Sequence, residues 1–429
     1  MEDSLIGFAV LLALCFAGVP LGFAMVAVGF GGFALERSWP AGFATVGQQV
    51  QDVATNYGFS VLPLFLLMGT FIHRAALSED LYDASNAWLG HLRGGLAMAT
   101  ITACGGLAAV SGSSLATAAT MGKIAVPSMR RYAYADSLAG GSVAVGGTLG
   151  ILIPPSVPMV IYGILTQQDI GKLFIAGVFP GILMISLFVL VIAVLTRLMP
   201  RLGPPGAKHG WPERLRALAN VWGVVVLFVL VLGGMYTGVF TPTEAAGIGA
   251  AGAFLFALFR RRLTPSTFLA ALVEAGETTC AILVVTLGAL IFSNFLDLAG
   301  LPSALADWIK SLNLGAVYIV LAMCGIYIVL GCVFDSLAML ILTVPVFFPI
   351  VQAVGVDPIW LGIIVIIVVE IGLITPPVGM NVFVIKGLFQ DMSIWTIFAG
   401  VAPFLVAQLV GLGLIILFPA IALVLPKLM

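Results

Sequence analysis

The chain has 429 residues, of which 61% are hydrophobic and 9% charged, and its formal net charge is −1. Soluble domains carry about 25% charged residues, so this composition excludes a soluble protein. It also excludes nucleic-acid binding, because no basic surface can neutralise phosphates. The five cysteines lie in apolar runs without metal-ligand spacing, so we expect packing residues and no cofactor. We predict an all-α protein that crosses a lipid bilayer several times.

The first part of the chain predicts three membrane spans and an interfacial arm. Apolar runs over 4–18 and 20–35 indicate two spans joined by a tight turn, and a third span covers 58–73. The first run is expected to stay in the mature protein, because the acidic N-terminus lacks the basic region of a signal peptide. Residues 38–57 mix polar and apolar side chains and predict an arm along the interface. Residues 74–93 are charged and predict a solvated loop with a short helix.

Residues 94–127 predict a re-entrant hairpin whose tip lies within the membrane. They are rich in small residues, with Ser111, Gly112, Ser113 and Ser114 at the centre. Each arm of about 16 residues would be roughly 24 Å long, which is short for a hydrocarbon core of ~30 Å. The alternative is one continuous helix with a small-residue packing face.

Two copies of one motif interrupt long apolar runs. Gly150–Pro155 lies within 137–165, and Gly372–Pro377, 222 positions later, lies within 358–388. Adjacent prolines remove backbone donors and clash with the preceding turn, so each run is predicted to be a broken helix. Broken backbone in a membrane must be buried by protein or line a polar cavity. Paired breaks in two halves of a chain are typical of a transporter binding site.

The breaks belong to two repeats, 1–200 and 221–429, joined by a linker over 201–220 that is rich in Pro, Gly and basic residues. Three more landmarks recur at the same offset: Pro20 with Pro242, Ser114 with Ser336, and Pro127 with Pro349. The second repeat is therefore expected to contain an arm over 264–278 and a hairpin over 314–350. The remaining predicted spans are 173–196, 243–259, 279–297 and 393–425.

Basic residues, which favour the cytoplasmic side, predict the orientation. The linker and Arg260–Arg262 are basic, so both are placed in the cytoplasm. Tracing the spans outward puts all but four of the 18 Lys and Arg residues on that side. The four are Arg37, Lys172, Lys310 and Lys427. Both termini then face the periplasm, and the two hairpins enter from opposite sides. The repeats are therefore predicted to be inverted, which permits alternating access.

Three stretches carry a family resemblance. Gly150–Met159, Ile175–Gly181 and Glu370–Asn381 resemble motifs of the large membrane subunit of tripartite ATP-independent periplasmic (TRAP) transporters. The resemblance extends over essentially the whole chain, in order and in length. It implies an elevator-type transporter in the bacterial inner membrane.

The same resemblance implies partners and a coupling ion. Such subunits use a sodium gradient to import organic acids, such as C4-dicarboxylates, keto acids or sugar acids, which a periplasmic binding protein delivers. A small membrane subunit with four helices braces the static scaffold, and here we expect it to be a separate chain.

Sodium prefers oxygen ligands, and broken helices expose carbonyls that can supply them. One sodium site is expected between the first tip and the first break, with a pseudo-symmetric mate in the second repeat. The resemblance supports ion sites at both tips. Candidates for the first site are Ser111, Gly112, Ser113, Ser114, Gly147, Gly150 and Pro154. Candidates for the second are Asp335, Ser336, Gly372, Thr375 and Gly379.

Each candidate residue has a structural alternative. A serine in a helix can bond back to its own turn. Asp335 is a functional candidate if it lies at membrane depth, but it caps the following helix if the tip reaches water. Glu370, just before the second break, either orders that break or pairs with a basic group.

The substrate is expected to carry a carboxylate. Half-helix N-termini and small hydroxyls can hold such a group without a buried arginine. Candidate contacts are Ser156, Thr375 and Asn381, although apolar packing against neighbouring helices would also explain their surroundings.

Three other classes of protein compete with this interpretation: an intramembrane enzyme, an ion channel and a stand-alone carrier. An intramembrane serine protease needs a Ser and a His on facing helices, whereas His73, His91 and His209 lie at span edges or in loops. An aspartyl protease needs two carboxylates that share a proton, and neither Asp335 nor Glu370 lies in a Gly-x-Gly-Asp pattern. A channel would need a pore ring from several subunits. A stand-alone sodium–dicarboxylate carrier or antiporter of the same architecture remains open, and neighbouring genes for a small membrane subunit and a binding protein would distinguish it.

Overall fold

The computed structural model describes residues 2–311, 315–332 and 334–429, and these are helical without a strand. The first half contains α1 Glu2–Phe16, α2 Leu21–Glu36, α3 Trp39–Thr55, α4 Val61–Arg74, α5 Leu77–Leu89, α6 Gly95–Ser111, α7 Ser114–Arg131, α8 Asp136–Leu152, α9 Val157–Thr166 and α10 Ile170–Leu198. The second half contains α11 Trp211–Asn220, α12 Trp222–Tyr236, α13 Pro242–Phe259, α14 Pro265–Leu298, α15 Leu301–Ser311, α16 Ala316–Gly331, α17 Ser336–Gln352, α18 Pro358–Gly372, α19 Met380–Leu388, α20 Ile394–Leu417 and α21 Ala420–Leu428.

Length and composition make this a multi-span membrane protein. Among the described residues, five helices are long and apolar enough to cross a bilayer, or seven if two bent pairs each count as one span. The bent pairs are α3 with α4, at 52°, and α11 with α12, at 49°. A chain with this many apolar helices satisfies its backbone polar groups internally, as lipid requires.

The two broken helices form the centre of the molecule. Every residue of α8 from Leu138 to Leu152 is buried, and so is every residue of α18 from Ile359 to Gly372. Helices that are apolar on all sides are typical of such central positions. The hairpin formed by α6 and α7 packs against α8, and the hairpin formed by α16 and α17 packs against α18.

Glycines allow the outer helices to touch through their backbones. A Cβ on Gly29 of α2 would lie 2.7 Å from Phe292 Cα of α14, and a Cβ on Gly288 would lie 2.4 Å from the Gly22 carbonyl oxygen. Small residues at such crossings favour close van der Waals packing, which drives helix association in membranes. Helices α2 and α14, together with α4 and α13, therefore form a closely packed group beside the central helices.

Three segments differ from the sequence-based expectation. Residues 264–278 are not a separate arm, because they begin the continuous 34-residue helix α14. Residues 74–93 contain a 13-residue helix, α5, whose apolar side, including Leu77 and Leu81, is buried against α6. Helix α15 was not predicted. The predicted start of the second hairpin, residue 314, lies outside the described residues, as do residue 333 in its tip region and the side chain of Lys310.

The linker is also more ordered than its composition suggested. Its last part is helix α11, and its first part is bonded to the start of the first hairpin. The Gly94 N–H donates to the Gly203 carbonyl oxygen at 2.8 Å, and the Gly206 N–H donates to the Gly90 carbonyl oxygen at 2.8 Å. The linker therefore packs on the first repeat as well as connecting the two halves.

Two glycines on α20 provide a matched test of this packing. A Cβ on Gly400 would lie 1.8 Å from the Ser137 carbonyl oxygen of α8, whereas a Cβ on Gly413 would meet nothing within 4 Å. Gly400→Ala is expected to cost about 1–3 kcal/mol by overpacking, and Gly413→Ala should be neutral or slightly stabilising. The melting temperatures of the two variants in detergent measure the difference. Equal melting temperatures would show that α8 and α20 are not packed this closely.

Candidate functional site

The first hairpin reverses direction at Gly112 and Ser113. Gly112 ends α6 with a positive φ of 62°, which a glycine adopts at little cost. Ser113 then caps α7, because its Oγ accepts from the Ala116 N–H at 3.4 Å. The Ser-Gly-Ser sequence thus has a local reason: glycine permits the reversal and serine begins the next helix.

A second hydroxyl fixes this tip. Thr117 Oγ1 donates to the Ser113 carbonyl oxygen at 2.8 Å. Its single proton is then used, so the 2.8 Å contact with Ser111 Oγ requires the serine to donate. Thr117 was absent from the predicted site residues, although it lies one helical turn after the tip and is fully buried.

The first break contacts the tip through backbone atoms. A Cβ on Gly150 would lie 2.6 Å from the Ser113 carbonyl oxygen, and a Cβ on Gly112 would lie 3.0 Å from the Pro155 carbonyl oxygen. Gly147, one turn earlier on α8, lies against Ala118 of α7. The structure therefore packs Gly112, Ser113, Gly147 and Gly150 of the predicted first site at one junction of tip and broken helix, whereas Pro154 lines a separate apolar cavity with Leu81.

Ser156 connects the two helices on either side of the first break. Its Oγ donates to the Ile151 carbonyl oxygen at 2.5 Å and accepts from the Met159 N–H at 3.4 Å. The side chain therefore bridges the end of α8 to the start of α9, across the segment that contains Pro154. Both hydrogen bonds of this hydroxyl are to backbone atoms, so Ser156 has a structural role in joining the two helices at the break.

At the second tip, Asp335 caps α17. Its Oδ1 accepts from the N–H groups of Leu337 and Ala338, at 2.9 and 3.0 Å. Ser336 is the first residue of α17. Behind the tip, Gly372 of α18 lies against Gly331 of α16, where an added Cβ would be 2.6 Å from Gly331 Cα.

The second break uses its own polar groups in a similar way. Thr375 Oγ1 donates to the Ile371 carbonyl oxygen at 2.6 Å, and Gly379 turns the chain with a φ of 62°. Asn381 is fully buried, and its Nδ2 donates to the Ala144 carbonyl oxygen of α8 at 2.9 Å. The Asn381 side chain thus links the second break to the first broken helix.

Both tips meet at one cavity of about 280 Å³. Its lining includes Gly112, Ser113, Ser114, Asp335 and Ser336. Across the cavity, the closely packed outer helices contribute Leu66 of α4 and Thr278 and Ile282 of α14. Residues of both predicted sodium sites therefore line one space between the central helices and the outer helices.

Four helices begin at this cavity. Ser114, Val157, Ser336 and Met380 are the first residues of α7, α9, α17 and α19, and all four line it. Helix N-termini carry partial positive charge, so their convergence favours an anion. Side chains cap α7, α9 and α17, and the cap of α17 is the Asp335 carboxylate, whereas α19 has no side-chain cap.

A larger polar cavity of about 500 Å³ lies beside the first tip. It shares Leu66, Ser113 and Thr278 with the first cavity and extends to Lys123 and Glu274. This cavity therefore connects the first tip with the charged residues Lys123 of α7 and Glu274 of α14.

Facing hairpins, paired broken helices and convergent helix N-termini around a central cavity are the architecture of a secondary transport protein. Comparison with known families shows to which family of transport proteins the chain belongs. The profile of the family "Tripartite ATP-independent periplasmic transporter, DctM component" matches residues 8–421. The chain belongs to this family.

Three relatives align with most or all of the chain. The C4-dicarboxylate TRAP transporter large permease protein DctM of Pseudomonas aeruginosa is 38% identical, and the match covers 88% of both chains. The sialic acid TRAP transporter large permease protein SiaM of Vibrio cholerae is 33% identical, with 100% and 99% covered. The ectoine TRAP transporter large permease protein TeaC of Halomonas elongata is 31% identical, with 98% and 95% covered.

Among solved structures, the Alcanivorax borkumensis YdaH transporter is similar, with a TM-score of 0.55 over 87% of both chains. Sequence identity is 16%, so this likeness concerns the fold.

The contact between tip and break yields a local prediction. Gly150→Ala would push the Ser113 carbonyl away, and this displacement should destabilise the tip by about 1–3 kcal/mol. Amide hydrogen exchange at the tip should therefore become roughly tenfold faster or more. Hydrogen exchange of peptides spanning 111–117 measures this. Gly325→Ala in α16 is the control, because a Cβ there meets nothing within 4 Å. An unchanged tip in Gly150→Ala would contradict the contact.

Proposed function

We propose that this chain is the large permease subunit of a TRAP transporter that couples sodium entry to the uptake of an organic acid. The observation that carries the proposal is the convergence of four helix N-termini on the cavity between the two tips. A cavity of about 280 Å³ is at the small end of ligand sites, which suits a small carboxylate. The relatives transport different substrates, so the particular acid is set by details of this lining and by the delivering protein.

The proposed sodium sites lie at the two tips. At the first tip, the carbonyls of Ser113 and Pro155 and the hydroxyl of Ser111 lie where tip and break meet. At the second tip, Asp335 Oδ1 accepts both amide N–H groups, so Oδ2 is the oxygen that a cation would meet. Oxygen ligands of this kind suit a hard cation. Sodium bound beside the cavity would also strengthen its attraction for a carboxylate, which couples the two affinities.

Transport is proposed to follow an elevator mechanism. The cavity is bounded on one side by the hairpins and broken helices and on the other by α4 and α14. A block made of the hairpins and broken helices could therefore slide against the outer helices and carry the cavity with it. In the proposed orientation both termini are periplasmic and the linker is cytoplasmic, in the bacterial inner membrane.

The proposed partners are a small four-helix membrane subunit and a periplasmic binding protein. Family membership favours this three-part system over a stand-alone carrier, because the family description names a tripartite periplasmic transporter. Proteoliposomes that contain this chain, the small subunit and the binding protein should take up the acid only with an inward sodium gradient. Uptake by this chain alone would support the stand-alone alternative.

The sodium sites can be tested by melting temperature in sodium and in potassium at equal ionic strength. A ligand at about 100 times its Kd stabilises the folded state by roughly 2.7 kcal/mol, so sodium should raise the melting temperature visibly.

The double variant Ser113→Ala/Ser336→Ala should lose most of this sodium-specific rise. Ser113 also caps α7, so its removal lowers stability in both salts, and the difference between salts is the relevant quantity. Ser186→Ala is the control, because that exposed hydroxyl only bonds the Ile182 carbonyl within α10. If the double variant kept the full sodium-specific rise in melting temperature, sodium would not bind at the tips.

A further inference from the structure

Glu370 is a carboxyl group in the centre of the molecule without a positive partner. It is fully buried on α18, and within the described ranges it is the only acidic or basic residue in the buried class. Its Oε2 accepts from Gln408 Nε2 of α20 at 3.4 Å. An isolated buried carboxylate is strongly disfavoured, so Glu370 is neutralised either by a proton or by a bound cation.

Gln408 connects Glu370 to the other broken helix. Its Nε2 also donates to Thr148 Oγ1 of α8 at 3.3 Å. Thr148 and Glu370 are separated by the same 222 positions as the two breaks, so they are equivalent residues of the two repeats. The Thr148 hydroxyl donates to the Val145 carbonyl oxygen at 2.8 Å. With this hydroxyl donating to Val145, Thr148 accepts from Gln408, and the network assigns the Gln408 Nε2 to Thr148 and Glu370.

This orientation leaves acceptor oxygens without partners. Glu370 Oε1, Gln408 Oε1 and Asn381 Oδ1 are buried side-chain atoms with no hydrogen bond. Asn381 donates through Nδ2 to the Ala144 carbonyl oxygen. Ala144 lies one turn before Thr148, roughly 6 Å along α8. Asn381 and Gln408 thus both bond to the Ala144–Thr148 turn of α8, and Glu370 is joined to this turn through Gln408.

We propose that Glu370, Gln408 and Asn381 form an additional cation site, separate from the two tips and occupied by a monovalent cation such as sodium. One carboxylate and one monovalent cation are neutral together, whereas a divalent ion would leave a net charge in an apolar interior. Carboxylate and amide oxygens are suitable ligands for a hard cation. The proposal does not depend on sodium binding at the tips.

Exchange of the carboxylate and the amide tests this site. Glu370→Gln keeps the shape of the side chain but removes its charge. Each bound sodium ion contributes to the slope of melting temperature against log sodium concentration, so this slope should fall by the contribution of one ion. Choline chloride keeps the ionic strength constant. Glu370→Gln/Gln408→Glu restores one carboxylate and one amide, and should regain most of the lost slope. Thr286→Val is the control, because that buried hydroxyl bonds only within α14.

Saturation binding of radioactive sodium provides a second measurement. Glu370→Gln should bind one ion fewer than the unmodified chain, while Ser113→Ala/Ser336→Ala should keep this ion. If Glu370→Gln does not fold, Gln408→Leu replaces it, and sodium affinity at this site should fall at least tenfold. A wild-type slope and ion count in whichever of these variants folds would overturn the proposal, and would mean that Glu370 is a neutral acid with a structural role.

Discussion

The structure depends on one constraint: backbone groups released at a helix break inside a membrane must be satisfied by the protein. Each break therefore lies against a hairpin tip, and glycines allow the two backbones to touch. Gly150 against Ser113 in the first repeat and Gly372 against Gly331 in the second show the same solution. The cavity follows from it, because helices that restart after a break or a tip present their N-termini to a common space.

This constraint explains why the breaks and the first tip could be predicted from the sequence. Adjacent prolines are incompatible with a continuous helix, so Pro154 and Pro376 identify the breaks without any knowledge of the fold. The constant offset identified the repeats. The serine and glycine residues between α6 and α7 identified the first tip, because short arms with a polar centre do not suit a full span.

The remaining features depended on tertiary contacts that no local pattern reports. Asn381 was assigned to the substrate, but its side chain turns to Ala144, more than 200 residues earlier in the chain. Residues 264–278 have the polar composition of an arm, yet nothing in them interrupts the helix, so α14 continues. Thr117 and Gln408 gave no signal of their own. Thr148, however, could have been found by applying the repeat offset to Glu370.

The arms of the two repeats have different shapes: α3 and α4 are bent by 52°, whereas α14 is unbroken. In an inverted-repeat protein, the opposite state is often pictured by giving each repeat the conformation of the other. Here that exchange would require a long helix to bend and a bent pair to straighten. In the proposed elevator cycle, no such bending is needed if the arms belong to the stationary frame, and the two end states then differ in shape.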